Sequence, residues 1–142
     1  MESAQLHRPD AAIQGVLVSP MARKGVEIII GTLQDATFGA MVMVGLGGIT
    51  TELFRDVIYR PAPVSVAEAA AMLDELKAAP LLKGFRRSAK ADIPALSQLI
   101  AQVSLLAERL SAYIGEIELN PVLVHPEGQG MTIVDALVVK RK

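Results

Sequence analysis

The chain is 142 residues long with a net charge of −1, 51% hydrophobic and 20% charged residues, which suits one globular domain with a sizeable core. Near-neutral charge, 4% aromatics and no tryptophan offer neither a basic field nor a stacking platform, so no nucleic-acid partner is expected. With no cysteine, disulfides, thiolate metal sites and a cysteine nucleophile are excluded and any metal must be held by oxygen or imidazole; no span suits a bilayer and no secretory leader is visible, so a cytoplasmic location is the expectation.

Residues 1–12 read as an irregular lead-in broken at Pro9-Asp10, and the ordered domain is expected over 13–142. Two short β-branched runs, 15–18 and 26–30, read as strands joined by a loop through Pro20. A hairpin turn is expected over 34–37. Ala40-Met41-Val42-Met43-Val44 follows as a strand whose unbroken apolarity suggests burial on both faces. Residues 56–60 alternate as a further strand, ended by Pro61-Ala62-Pro63.

Ser65-Val66-Ala67-Glu68 has capping-box spacing and predicts a helix to about Ala78. Asp92 is the expected cap of a longer helix. Its apolar positions Ile93, Leu96, Leu99, Ile100, Val103, Leu106, Leu110 and Tyr113 recur at helical spacing and read as core. Residues 117–124 and 131–139 form an expected antiparallel hairpin around Pro126-Glu127-Gly128-Gln129-Gly130. His7 and His125 lie beside loose or turning segments, and neither reads as a buried catalytic imidazole.

Three constellations carry possible chemistry. In Glu118-Leu119-Asn120-Pro121, strand alternation sends Glu118 and Asn120 to one face while Ile117 and Leu119 turn inward. Asp135 is expected across the hairpin from them. A carboxylate, an amide and a second carboxylate suit magnesium brought in with nucleotide phosphates; an acidic solvent face reads the same residues equally simply. Gly45-Leu46-Gly47-Gly48 removes the Cβ atoms that bar phosphate from backbone N–H groups, or makes a tight turn. Glu27, on an otherwise apolar strand, accepts sugar hydroxyls or simply faces water. Arg60 contacts phosphate or covers the sheet edge.

In sequence order, Gly15-Val16-Leu17-Val18-Ser19-Pro20-Met21, Gly25-Val26-Glu27-Ile28-Ile29-Ile30-Gly31, Asp35-x-x-Phe38-Gly39, Val42-Met43-Val44-Gly45-Leu46-Gly47-Gly48, Arg60-Pro61-Ala62-Pro63 and Glu116-Ile117-Glu118-Leu119-Asn120-Pro121 resemble the ATP-grasp region of NDP-forming acyl-CoA synthetases. More distantly the chain is similar to the succinyl-CoA ligase beta subunit. The resemblance implies an α/β (α+β) fold, the C-terminal ATP-grasp subdomain, with a mostly antiparallel sheet and two packed helices.

It also implies roles: Glu118, Asn120 and Asp135 as magnesium ligands, Val18, Ser19 and Met21 as the hinge beside adenine, and Glu27 as the ribose acceptor. Gly45, Gly47 and Gly48 with Arg60, the candidate catalytic residue, would face the phosphates. The implied cofactors are ATP and Mg2+, with CoA bound elsewhere in the parent enzyme. Ser19 stands where relatives often carry Gln or Glu, which leaves the choice of nucleotide open.

Nothing before Gly15 reads as the other ATP-grasp subdomain, so its partners are expected to be that subdomain and the CoA-binding and phosphohistidine domains of a longer protein. In isolation the chain is expected to be inactive and to self-associate through an apolar face and an unpaired edge over 13–30. A non-catalytic module attached to a protein acetyltransferase is the competing reading.

Overall fold

The structure is a computed structural model that describes residues 6–47, 56–86 and 88–141. Its six strands are β1 (Val26–Asp35), β2 (Gly39–Leu46), β3 (Val57–Pro61), β4 (Ile114–Val124), β5 (Met131–Ile133) and β6 (Ala136–Lys140). They form one sheet in the order β3-β2-β1-β4-β5, with β6 also pairing β4. Every pairing is antiparallel. Packed with the sheet among the described residues are α1 (Val66–Glu75), a single turn α2 (Ala79–Leu82) and α3 (Ile93–Arg109). The mostly antiparallel sheet with packed helices is the fold class the sequence predicts.

Strand alternation sends Ile28, Ile30 and Thr32 of β1 and Ala40, Val42, Val44 and Leu46 of β2 to one buried face. Helices α1 and α3 cover that face, supplying Ala69, Met72, Leu73, Leu96, Ile100 and Val103 to a single core. Each fully buried aliphatic side chain contributes about 1.5–3 kcal/mol of burial free energy. Among the described residues no helix covers the other face. There Met41 and Met43 are only half-buried, so β2 is not buried on both faces as its apolarity suggested.

Helix α1 starts where the sequence places it. Ser65 Oγ accepts from the Glu68 amide at 3.2 Å and Glu68 returns a carboxylate oxygen to the Ser65 amide at 2.7 Å. It ends at Glu75, three residues early. The cause is Asp56, buried at the foot of β3, whose two oxygens accept the amides of Lys77 and Ala78 at 3.0 and 2.9 Å and turn the chain into α2. Asp92 caps α3 as expected, accepting from the Ala95 amide at 3.2 Å.

Several expectations are corrected. Residues 15–18 are not a strand: Val16, Leu17 and Val18 are exposed, because among the described residues no neighbour pairs with them. The expected free edge over 13–30 is also absent, since β1 is a central strand between β2 and β4, and self-association cannot run through it. The α3 stripe is core only in part: Leu106 and Tyr113 are exposed, Tyr113 lying past the helix end. His125 is buried rather than loosely placed at a turn, with only 2% of its surface exposed.

The expected single strand 131–139 is divided into β5 and β6 by Val134 and Asp135. Opposite them lies Pro121, which has no amide to give the ladder. The chain compensates on either side, with Val134 donating its amide to the Pro121 carbonyl at 3.0 Å and Asn120 donating to the Asp135 carbonyl at 3.1 Å.

Candidate nucleotide and metal face

The sheet face opposite α1 and α3 holds most of the residues singled out above. Directly opposed residues in a sheet share a face. Since Ile30 pairs with Leu119 in the core, Gly31 and its partner Glu118 must look the other way. Glu27, four residues upstream of Gly31 on β1, shares that outlook and is exposed. At a rise of about 3.3 Å per residue, Glu27 stands about 13 Å along the strand from the Glu118 pair.

A bulge sets the other ligand candidates. Between Ile28 and Ile30, β1 advances two residues while β4 advances from Val122 to Leu119, so β4 carries one residue more. This lets both Leu119 and Val122 reach the core, although they are an odd number of positions apart. The surplus falls at Asn120-Pro121, whose peptide bond is cis. Asn120 points to solvent, and its side-chain amide donates to Glu118 Oε1 at 3.0 Å.

Asp135, in the break between β5 and β6, has one carboxylate oxygen tied to the Ala136 amide at 2.8 Å. Glu118, Asn120 and Asp135 together line one depression of about 110 Å3. Each keeps one oxygen without a hydrogen-bond partner among the described residues. Two carboxylates and an amide form a hard-oxygen set fitting magnesium, which takes few protein ligands and keeps waters. Among the described residues no group of three or more His, Cys, Asp or Glu is placed to hold a metal ion, and this set reaches three ligands only by counting the Asn120 amide.

Of the glycine cluster, Gly47 donates its amide to the Glu27 carbonyl at 2.8 Å, which joins the end of β2 to the Glu27 position. A Cβ on Gly47 would stand 3.1 Å from Glu27 Cβ. Gly45 is close-packed for another reason: a Cβ there would come within 2.7 Å of Val57 Cγ1 and 3.0 Å of the Asp56 carbonyl. Gly48 lies outside the described residues. Val18, Ser19 and Met21 sit in the exposed run ahead of β1.

Arg60 is not brought to this face. It pairs with the core residue Val42 and so points toward the helices, where it forms an ion pair with Glu75 of α1 and donates to the Tyr59 carbonyl at 2.9 Å. Alternation along β3 would have revealed this, because Tyr59 takes the outward position opposite Met43. Asp56 and the buried His125 were not found from the sequence. Both act through backbone groups distant in sequence, and no local spacing announces such contacts.

The ATP-grasp domain family matches residues 1–139. The chain belongs to the ATP-grasp family. This ATP-grasp chain is 44% identical over 138 residues to the beta subunit of an ADP-forming acetate–CoA ligase II from Pyrococcus furiosus, covering 97% of this chain and 58% of the subunit. It is 37% identical over 138 residues to an ADP-forming 4-hydroxybutyrate–CoA ligase of Nitrosopumilus maritimus, covering 97% of this chain and 20% of that one.

Among solved structures, a dinucleotide-forming acetyl-coenzyme A synthetase 1 of Candidatus Korarchaeum cryptofilum, in complex with coenzyme A and acetyl-coenzyme A, matches with a TM-score of 0.88 at 42% identity over 99% of this chain and 61% of that chain. The same enzyme with coenzyme A and Mg-AMPPCP matches at 0.75 and 44% identity, covering 84% and 55%. The ATP-grasp chain thus spans less than two thirds of each of these relatives. No helix among its described residues is long and apolar enough to cross a membrane.

Proposed function

We propose that this chain forms one wall of the Mg-nucleotide site of an ADP-forming acyl-CoA ligase, corresponding to the C-terminal subdomain of its ATP-grasp module. The observation that carries the reading is the convergence of Glu118, Asn120 and Asp135 on the sheet face, opposite α1 and α3, that also presents Glu27. Glu118 and Asp135 supply charge, and Asn120 supplies a neutral oxygen. When bound, magnesium neutralises phosphate charge and orients the terminal phosphates. Glu27 accepts the ribose hydroxyls, and the backbone of Val18, Ser19 and Met21 borders adenine.

The parent reaction on this reading joins a carboxylic acid and CoA while an NTP is converted to NDP and phosphate through phosphorylated intermediates, with CoA bound outside this chain. The opposing wall, which supplies a phosphate lysine, belongs to the rest of that longer protein, so this chain alone binds ATP weakly. Its location is that of the parent enzyme, the cytoplasm. The test is Mn2+ titration followed by electron paramagnetic resonance in the full-length protein with ADP present. Asn120→Ala and Asp135→Ala should each weaken Mn-nucleotide binding by about tenfold or more while the circular dichroism spectrum is unchanged. Wild-type affinity in both variants would sink the assignment.

A further inference from the structure

We propose that His125 is a positioning residue for the nucleotide, a buried clamp that fixes where the run carrying Val18, Ser19 and Met21 enters the sheet and so sets its spacing to Glu27. The clamp itself rests on geometry, and its consequence for nucleotide rests on the reading just given. Residues 14–25 are exposed and lie outside any helix or strand, and the Lys24 carbonyl is where this run meets the buried interior. The His125 ring lies inside, with Nδ1 at 3.4 Å from that carbonyl and Nε2 at 2.9 Å from Thr132 Oγ1. A carbonyl oxygen only accepts, so Nδ1 carries the proton and Nε2 takes the Thr132 hydroxyl hydrogen.

The clamp is braced from behind. The His125 amide donates to the Gly130 carbonyl at 3.0 Å, and its carbonyl accepts the Asp92 amide at 2.9 Å. Asp92 in turn takes the Gly130 amide on Oδ2 at 2.8 Å while capping α3 through Oδ1. The next residue of the run packs closely against β4, where a Cβ on Gly25 would stand 2.6 Å from the Val124 carbonyl oxygen. An aliphatic side chain at 125 fills space without desolvating two ring nitrogens. What the imidazole adds is a directed bond to a chain segment two residues before β1 and three after Met21.

Two conservative variants separate this role from mere packing. In His125→Asn the side-chain amide nitrogen falls where Nδ1 was, keeping the donor to Lys24 and losing Thr132. His125→Gln reaches the Nε2 position instead, keeping Thr132 and losing Lys24. Hydrogen exchange of the Val26 amide, the first of β1, is measured in this chain, and the Mg-ADP dissociation constant by calorimetry in the full-length protein. His125→Gln should exchange about tenfold faster at Val26 and bind Mg-ADP about three- to tenfold more weakly, with His125→Asn close to wild type in both.

Equal behaviour of the two variants in exchange overturns the clamp. Faster exchange in His125→Gln with unaltered Mg-ADP affinity overturns the positioning role. A wild-type protein that binds no Mg-ADP overturns the nucleotide reading, and the exchange contrast still decides the clamp. Should a substitution at 125 prevent folding, Thr132→Val keeps the ring and its bond to Lys24 and should leave exchange at Val26 slow; fast exchange there overturns the clamp.

Discussion

Asn120 gives its side-chain amide to Glu118 Oε1 across 3.0 Å, so the carboxylate fixes which way the amide oxygen faces. Glu118→Gln keeps an oxygen for that bond and removes only the charge. The magnesium concentration needed for half-maximal turnover in the full-length protein should then rise about tenfold, equivalent to about 1.4 kcal/mol, with an unchanged melting temperature. An unaltered magnesium requirement would show that Glu118 serves only as a surface partner for Asn120.

Asp56 ties the foot of β3 to the turn between α1 and α2 through two backbone amides. Asp56→Ala leaves both amides without an acceptor and should destabilise the chain by about 1–3 kcal/mol in urea unfolding. Asp56→Asn keeps one acceptor oxygen and should lose less. A neutral alanine variant would mean that water replaces the carboxylate there.

Gly25 lies against the Val124 backbone, where even a methyl group meets an immovable carbonyl. Gly25→Ala should lower stability by about 1–3 kcal/mol, as overpacking does, and do so more than Gly15→Ala, where nothing lies within 4 Å of the added carbon. Comparing the two unfolding midpoints checks this.

Acid should weaken the fold in a defined window. The Asp92 carboxyl is held below its ordinary value of 3.8, chiefly by the Gly130 amide, against the opposing effect of burial and with further help from the Ala95 and Gly128 amides. A depressed native pKa contributes stability above the unfolded value that is lost as pH falls through the native one. The urea midpoint should therefore drop below about pH 4. Asp92→Asn should lower the midpoint at neutral pH and flatten part of that acid limb. Asp35, held down by the Phe38 and Thr37 amides, and Glu68, held down by the Ser65 amide, account for more of it. An identical acid limb in Asp92→Asn would contradict the assignment.

Much of this architecture is legible in the sequence because its signals are local. Ser65 with Glu68, Asp92 ahead of a helical stripe, and Gly128 and Gly130 in the terminal turn, both at positive φ, each depend on neighbours within a few residues. The outward pairing of Glu118 and Asn120 is legible for the same reason. What escaped depends on distant partners. The run 15–18 has strand composition but no strand beside it, and the early end of α1 is dictated by Asp56, about twenty positions upstream. The direction of Arg60 follows from the register of β3 on β2, and the burial of His125 from Lys24 and Thr132 closing around it. None of these is encoded in residue type at one place.

The central strand β1 behaves as a ruler with a fixed zero. It is pinned at Gly25, presents Glu27 two positions on, and meets Glu118 at Gly31. Because strand side chains alternate, deleting one residue between Glu27 and Gly31 would reverse the faces beyond the deletion, so that Glu27 and Gly31 could no longer look out from the same face. Removing two would restore the faces but shift Glu27 by about 7 Å relative to Glu118. Length changes should therefore be tolerated in the hairpin after Asp35, outside the ruler, and not between Gly25 and Gly31.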